Sequence, residues 1–221
     1  MRTRALLSWS SGKDSAWALH VLRQQSDVEI VGLLTTVNES ADRVAMHAVR
    51  AELLRLQAAA TGLPLHVVGI PSPCSNERYE AVMGAFVERA RTEGINAIAF
   101  GDLFLEDIRQ YRVQKLVGTG IEPLFPIWGI PTDHLARTMI AGGLRARLTC
   151  VDPKQLGKDF VAREFDHALL SDLPPNVDPC GERGEFHSFA YAGPMFSAPL
   201  AVKSGELVER DGFVFADLLP A

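Results

Sequence analysis

A short apolar run, Ala5-Leu6-Leu7, passes through a turn of small residues straight into a helical pattern opening at Ser15-Ala16-Trp17-Ala18-Leu19. The same alternation then repeats. Val28 to Thr35 is apolar and β-branched. Val49, Leu53, Leu56 and Ala60 recur at helical spacing until Gly62 and Pro64 stop them, and Leu65 to Ile70 is the next strand. Tyr79, Val82, Met83, Phe86, Val87 and Ala90 form one helical face ending at Gly94. Ala97 to Phe100 is a fourth strand, and Leu105 to Val117 another helix. Strands separated by helices cannot pair as hairpins, so the pattern predicts an α/β fold: a Rossmann-like parallel sheet with helices on both faces. Such sheets bind ligands at the carboxyl ends of their strands. Three segments fall there: the turn at Ser10, Thr35-Thr36 and Gly101-Asp102.

After Leu124 the composition shifts. Pro123, Pro126 and Pro131 interrupt the run that includes Phe125, Trp128 and Gly129, and prolines at this density cannot continue a regular element. We therefore divide the chain at this point, residues 1–124 forming a nucleotide-binding domain and 125–221 a smaller α+β substrate-binding domain. The second part is expected to hold a helix over His134 to Ala141, a strand over Arg145 to Val151 and a helix over Phe160 to Ser171. Short strands with turns at Ser204-Gly205 and Asp211-Gly212 should follow.

A net charge of −5 argues against a broad nucleic-acid or anionic-membrane surface. No stretch approaches a membrane span. Cys74, Cys150 and Cys180 are odd in number and far apart, without zinc spacing or a disulfide framework. The expectation is a cytoplasmic protein with reduced thiols.

The turn itself reads Ser8-Trp9-Ser10-Ser11-Gly12-Lys13-Asp14-Ser15. A small-residue turn leading into a helix N-terminus presents unpaired N–H groups and the positive end of the helix dipole to an anion. Ser10, Ser11 and Gly12 let a phosphate approach backbone. Lys13 adds positive charge, Ser15 a hydroxyl and Asp14 a carboxylate that can hold Mg²⁺; the plainer role of Asp14 is to complement the dipole. Asp14 separates Lys13 from Ser15, so this is not the loop in which Gly-Lys runs directly into Ser or Thr. It resembles instead the PP-loop of the ATP pyrophosphatases, Ser-Gly-Gly-x-Asp-Ser. Ser11 stands where that pattern has Gly, the one residue free to take positive φ at low cost.

The other dense passage is Asp178-Pro179-Cys180-Gly181-Glu182-Arg183-Gly184-Glu185-Phe186-His187-Ser188. Taken alone it is either a charge-capped surface turn or a tight polar loop. In the second case Glu182 and Glu185 could hold a cation or ammonium, and His187 could move a proton near neutral pH. It resembles the Gly-Glu-x-Gly-Glu-(Tyr/Phe)-His signature of the diphthine–ammonia ligase family, a branch of the ATP pyrophosphatases. Further landmarks follow in the same order: Met46-His47, Leu56-Gln57-Ala58 with Gly62-Leu63-Pro64, Gly101-Asp102 with Arg109, Tyr111 and Arg112, and Pro123-Leu124…Trp128. The insertion in that last segment resembles bacterial-type members. Val113 and Gln114 stand where the family has a carboxylate after Tyr-x-Arg.

The resemblance implies a HUP-type nucleotide domain, ATP with Mg²⁺, and ATP cleavage to AMP and pyrophosphate. A carboxylate would be adenylated and then amidated by ammonia. Lys13 and Asp14 would serve the phosphates, with Asp14 as the metal ligand; Glu182, Glu185 and His187 would position ammonia and move protons. Ser10, Ser11, Gly12, Ser15, Thr35, Gly101, Asp102, Arg109 and Arg112 would hold the nucleotide. Asp102 has a helix N-cap as its alternative, the two arginines a solvated helix face, and His47 a structural place. The acceptor is unspecified, and a homodimer is left open. Two other functions remain: a tRNA-thiolating PP-loop enzyme, which would call on Cys150 and Cys180, and a non-catalytic adenine-nucleotide binder.

Overall fold

The computed structural model describes residues 2–38, 43–44, 49–71 and 74–221. Met46 and His47 lie outside them. Strand β1 (Thr3–Ser8) leads into helix α1 (Lys13–Leu22), and β2 (Val28–Asn38) follows, paired at its far end with β3 (Arg43–Val44). Then come α2 (Ala51–Thr61), β4 (Leu65–Ile70), α3 (Asn76–Thr92), β5 (Ala97–Ala99), α4 (Glu106–Leu116) and β6 (Glu122–Leu124). β4, β2, β1, β5 and β6 lie side by side, all parallel.

Alternate residues of these strands face opposite ways, and two helical layers cover them. Leu7, Leu33 and Ala99 pack with Trp17 and Leu19 of α1 and Leu53 and Leu54 of α2. Leu6, Leu34 and Ile98 pack with Phe86, Val87 and Ala90 of α3 and Leu116 of α4. The predicted α/β class is therefore what the chain adopts. On α2, however, the buried face is Leu53, Leu54, Gln57, Ala58 and Thr61, while Leu56 is exposed. The apolar spacing had pointed at the neighbouring stripe.

The proline-rich passage holds a strand that its composition concealed. β6 pairs through the Glu122 N–H, which donates to the Asn96 carbonyl at 2.9 Å, and the Leu124 carbonyl, which accepts from Phe100 N–H at 2.8 Å. Pro123, between them, lies on a sheet edge where its missing N–H breaks no ladder.

The remainder comprises α5 (Thr132–Ala141), β7 (Arg145–Val151), a short 3₁₀ turn (Lys158–Phe160), α6 (His167–Asp172), β8 (Phe186–Ala192), β9 (Val202–Arg210) and β10 (Phe213–Pro220). Its sheet is antiparallel in the order β8-β7-β10-β9. The helix expected over 160–171 is confined to α6. Residues 161–165 instead bond along β7: Ala162 N–H donates to the Leu148 carbonyl (3.0 Å), Leu148 N–H to that of Arg163 (2.9 Å) and Phe165 N–H to that of Ala146 (2.7 Å). Asp166 then starts the helix, its Oδ1 accepting the Leu169 N–H at 2.8 Å. Asp211-Gly212 is the expected two-residue turn, with φ of 53° and 83°. Ser204-Gly205 lies inside β9, at the register shift opposite Asp217, and is not a turn.

Both sheets contribute to one hydrophobic core. Leu7, Trp9, Trp17 and Leu53 belong to the same cluster as Leu148, Phe186, Phe189, Met195 and Phe196, and Trp9 meets Phe196 edge to face at 6.3 Å. Arg23, which caps the carboxyl end of α1, donates to the Met195 carbonyl (2.9 Å) and the Thr61 carbonyl (2.6 Å), binding three segments at one point. This places β8 directly against the turn that opens α1.

Candidate active site at the turn before the first helix

That turn is built under constraint. Ser11 has φ of 71°, a left-handed conformation that costs a residue with a Cβ about 1–2 kcal/mol. It is wholly buried, and its hydroxyl has no partner. Its carbonyl is held twice, by Gln57 Nε2 at 2.9 Å and by Ala190 N–H at 3.0 Å. Gln57, itself fully buried, also donates to the Ala190 carbonyl (2.6 Å) and accepts from Trp9 Nε1 (2.9 Å). Ser10 Oγ accepts the Gly12 N–H at 3.3 Å and lies 3.2 Å from Ser15 Oγ, which in turn donates to the Gly12 carbonyl at 3.0 Å. Gly12 begins α1 without a side chain to cap it.

Lys13 is 2 % exposed. Its Nζ donates to both Asp14 oxygens, at 2.8 and 3.0 Å, and to the Cys180 carbonyl, and it lies over the Phe165 and Phe186 rings at 5.5 and 5.4 Å. Its backbone N–H donates to Ser188 Oγ at 3.2 Å. Burial works against the ammonium charge, but the Asp14 carboxylate, with Cys180 and Glu182, outweighs it and holds the pKa above the ordinary lysine value. Burial pushes the Asp14 carboxyl up, against the opposing pull of Lys13.

Two cavities meet here. The larger, about 750 Å³, lies over the ends of β1 and β5 and over Leu34, Thr35 and Thr36 inside β2, between α3 and α4; Met83, Ile98 and Phe100 are among its walls. Thr35 is almost fully buried, and its hydroxyl lacks a partner. The smaller, about 210 Å³, is polar and is lined by Ser10, Gly12, Lys13, Asp14, Ser15, Gly101, Asp102, Arg112, Cys180, Glu182, His187 and Ser188. Ser8, Ser10, Phe100 and Arg112 line both, so the cavities share a wall.

Glu182 Oε1 accepts the Leu103 N–H at 2.8 Å. Burial, opposed by that bond and reinforced by Asp14, pushes its pKa up to about 7. Burial, aided by Lys13, lowers His187 to about 4 and leaves its ring neutral at physiological pH. The group that titrates near neutrality is thus Glu182 rather than His187. Asp102 faces Arg112, 3.5 Å from its Nε, and burial raises the Asp102 pKa against that pull. The Arg112 guanidinium lies 4.9 Å from the Phe100 ring centre.

Three nominated residues stand outside both cavity walls. Ser11 is behind the turn. Glu185 is buried, its oxygens taken by the backbone N–H groups of Asp178 (2.8 Å) and Arg183 (2.9 Å), so it ties the loop together. Arg109 pairs with Glu106 at 3.6 Å and lies over Trp128 and Phe125, at 5.0 and 5.4 Å from their ring centres. Phe125 stacks on Phe100, and neither Phe125 nor Trp128 lines either cavity. Cys150 and Cys180 are buried free thiols, both pushed up by burial, which leaves neither a ready nucleophile. Sequence reasoning missed Ser188, the Cys180 carbonyl and the anchoring role of Gln57. For Gln57 the available signal was a glutamine amid the apolar positions of α2.

Gly101 shows how closely the rim is fitted. A Cβ there would lie 3.0 Å from Asp14 C and Ser15 N, both backbone atoms that cannot swing aside. Gly101→Ala is therefore expected to destabilise the protein by about 1–3 kcal/mol, read as a lower thermal midpoint.

Comparison with known proteins supplies the context. Residues 1–119 match the family model of the diphthamide synthase N-terminal domain, and residues 131–215 that of the diphthamide synthase C-terminal domain. Mouse diphthine–ammonia ligase is 27% identical over 98% of this chain and 88% of its own length. The human protein of that name is 26% identical with the same coverage. The Schizosaccharomyces pombe protein of that name is 24% identical over 91% of this chain, which corresponds to 36% of the yeast protein. With both halves matched in order and the turn, the β5 rim and the 178–188 loop converging on one cavity, the chain belongs to the diphthamide synthase family.

Proposed function

We propose that this protein is an ATP-dependent, AMP-forming ligase that adenylates a carboxylate and amidates it with ammonia, the activity named for its relatives. The observation that carries the reading is the convergence of Lys13 Nζ, the amino end of α1 and the near-neutral Glu182 on one small polar cavity beside a larger apolar one. The larger cavity takes the adenosine, with the Thr35 hydroxyl as a polar contact, and the smaller takes the phosphates and the reacting groups. Residues 1–124 supply the nucleotide side and 125–221 the acceptor side through the 178–188 loop.

An acceptor carboxylate oxygen attacks the α-phosphorus, and pyrophosphate departs. Its charge is met by the Lys13 ammonium and the positive end of the α1 dipole, both fixed in place before the reaction begins. Ammonia then attacks the acyl carbon, AMP leaves, and Glu182 takes the proton lost from nitrogen. Neutral His187 acts as a hydrogen-bonding partner and Arg112 as a cation beside the phosphates.

Among the described residues no cluster of three or more His, Cys, Asp or Glu is arranged to hold a metal. The site does fit Mg²⁺ arriving with a nucleotide, which needs only one or two carboxylates plus phosphate oxygens and water. Asp14, a quarter of whose side chain is exposed, is the candidate ligand. When bound, the ion neutralises phosphate charge. No described helix is long and apolar enough to cross a membrane, and the free thiols suit a cytosolic setting.

Phosphorus NMR of ATP and Mg²⁺ with the protein, ammonium and an extract of its host tests the reading. AMP and pyrophosphate in equal amounts are expected from wild type and not from Asp14→Ala. Intact ATP, even after host protein and tRNA fractions are added, would refute a ligase and leave a nucleotide-binding protein.

A further inference from the structure

Gln57 makes no contact with either cavity, yet its side chain touches the turn at its most strained point. Ser11 is a non-glycine residue at φ 71°. A serine released from its neighbours would return to negative φ, and the opening residues of α1 would turn with it. Two bonds oppose that return, the Ala190 N–H and Gln57 Nε2, both on the Ser11 carbonyl. Gln57 is fixed in its turn by Trp9 Nε1, which donates to its Oε1, and by the Ala190 carbonyl, which accepts from its Nε2. A single buried amide thus ties two residues of the turn, Trp9 and Ser11, to β8 of the second sheet.

We infer that Gln57 is a positioning residue for nucleotide binding, acting through Ser11 by holding that residue in its left-handed conformation and so keeping the amino end of α1 and Lys13 aligned on the small cavity. The inference rests on the ATP reading above. It predicts more than a loss on mutation. The Gln57 contact matters because residue 11 carries a Cβ; with glycine there, the conformation needs no holding. The two positions should therefore be coupled, as residues that share one constraint are.

The test is a double-mutant cycle with Gln57→Met and Ser11→Gly, reading the Kd for ATP by titration calorimetry and thermal midpoints without nucleotide. Gln57→Met is expected to weaken ATP binding about tenfold or more alone, and by threefold or less in the Ser11→Gly background. Without nucleotide, Ser11→Gly should raise the midpoint by about 2–4 °C when Gln57 is present. It should raise it less when Gln57 is replaced, because an unheld serine has already relaxed. Equal penalties in both backgrounds would overturn the inference, since a glutamine that merely fills the core acts independently of residue 11. Should Gln57→Met not fold, Gln57→Asn, whose amide falls one methylene short of the Ser11 carbonyl, carries the same cycle. A wild type that binds no ATP would refute the functional reading alone; the thermal cycle would still decide the coupling.

Discussion

Lys13→Met is expected to lower AMP formation by about a thousandfold or more while leaving the protein folded. The rate loss follows from where the charge is. Lys13 Nζ is buried, held by Asp14 and the Cys180 carbonyl, and points into the small cavity. A cation fixed in a site shielded from water stabilises developing negative charge far more than a mobile, hydrated one, and removing one such donor costs about 10²–10³ in rate even when neutral. Here the leaving group is pyrophosphate, and the lost partner is a full charge. Folding should survive because methionine fills the same channel against Phe165 and Phe186, and because Asp14, partly exposed, can rehydrate once its partner is gone. Single-turnover release of pyrophosphate, with a thermal melt on the same preparation, measures both. Lys13→Arg should rescue poorly, since a planar fork cannot reproduce a point donor at the Cys180 carbonyl. Unchanged turnover in Lys13→Met would mean that the phosphates lie elsewhere.

Glu182→Gln carries the second large effect, and it appears in the pH profile. The Glu182 carboxyl titrates at about 7. As a base it works only when ionised, so kcat/KM in wild type should climb through pH 7 and level off above it. Glu182→Gln should flatten that limb and reduce the plateau by about 10²–10⁴-fold. Stability should move the other way. A carboxyl raised above its unfolded value contributes stability that is complete below about pH 4.5 and is lost as pH rises through about 7. Glutamine keeps an oxygen for the Leu103 N–H and carries no charge to desolvate, so the variant should melt higher than wild type at pH 8 and equally at pH 4. A pH limb that persists in Glu182→Gln would move the base to another residue. A variant that melts lower at every pH would make Glu182 a structural acceptor for Leu103.

The two predictions depend on residues that were legible in the sequence to different degrees. Lys13 and Asp14 stood out because the turn chemistry is local: spacing within eight residues determines which atoms reach an anion. Glu182 and Glu185 were indistinguishable at that level. Both are carboxylates in one glycine-rich loop, and only the path of the chain turns one toward the cavity and folds the other back onto the N–H groups of Asp178 and Arg183. His187 likewise looked like a near-neutral titrating group, because burial, which holds it neutral, is a property of the whole packing. Apolar period sufficed for the parallel sheet and both helical layers. It failed at β6, where a proline at an edge costs nothing, and at 160–171, where pairing with β7 overrode a plausible helical pattern. Gln57 was hidden by the same logic. A search for apolar spacing passes over a polar residue on a buried face, although that residue ties the site together.

The core shared by both sheets has a consequence for how the protein is made. Leu7, Trp9, Trp17 and Leu53 leave the ribosome more than a hundred residues ahead of Phe189, Met195 and Phe196, which complete their packing. At about 5–20 residues per second the wait is on the order of ten seconds or more. Throughout it, the amino-terminal half carries an uncovered apolar face and a turn before α1 without the strand that braces it. Production of this protein should therefore depend on chaperones that shield nascent chains, and any pause in translation after residue 124 would lengthen that exposure.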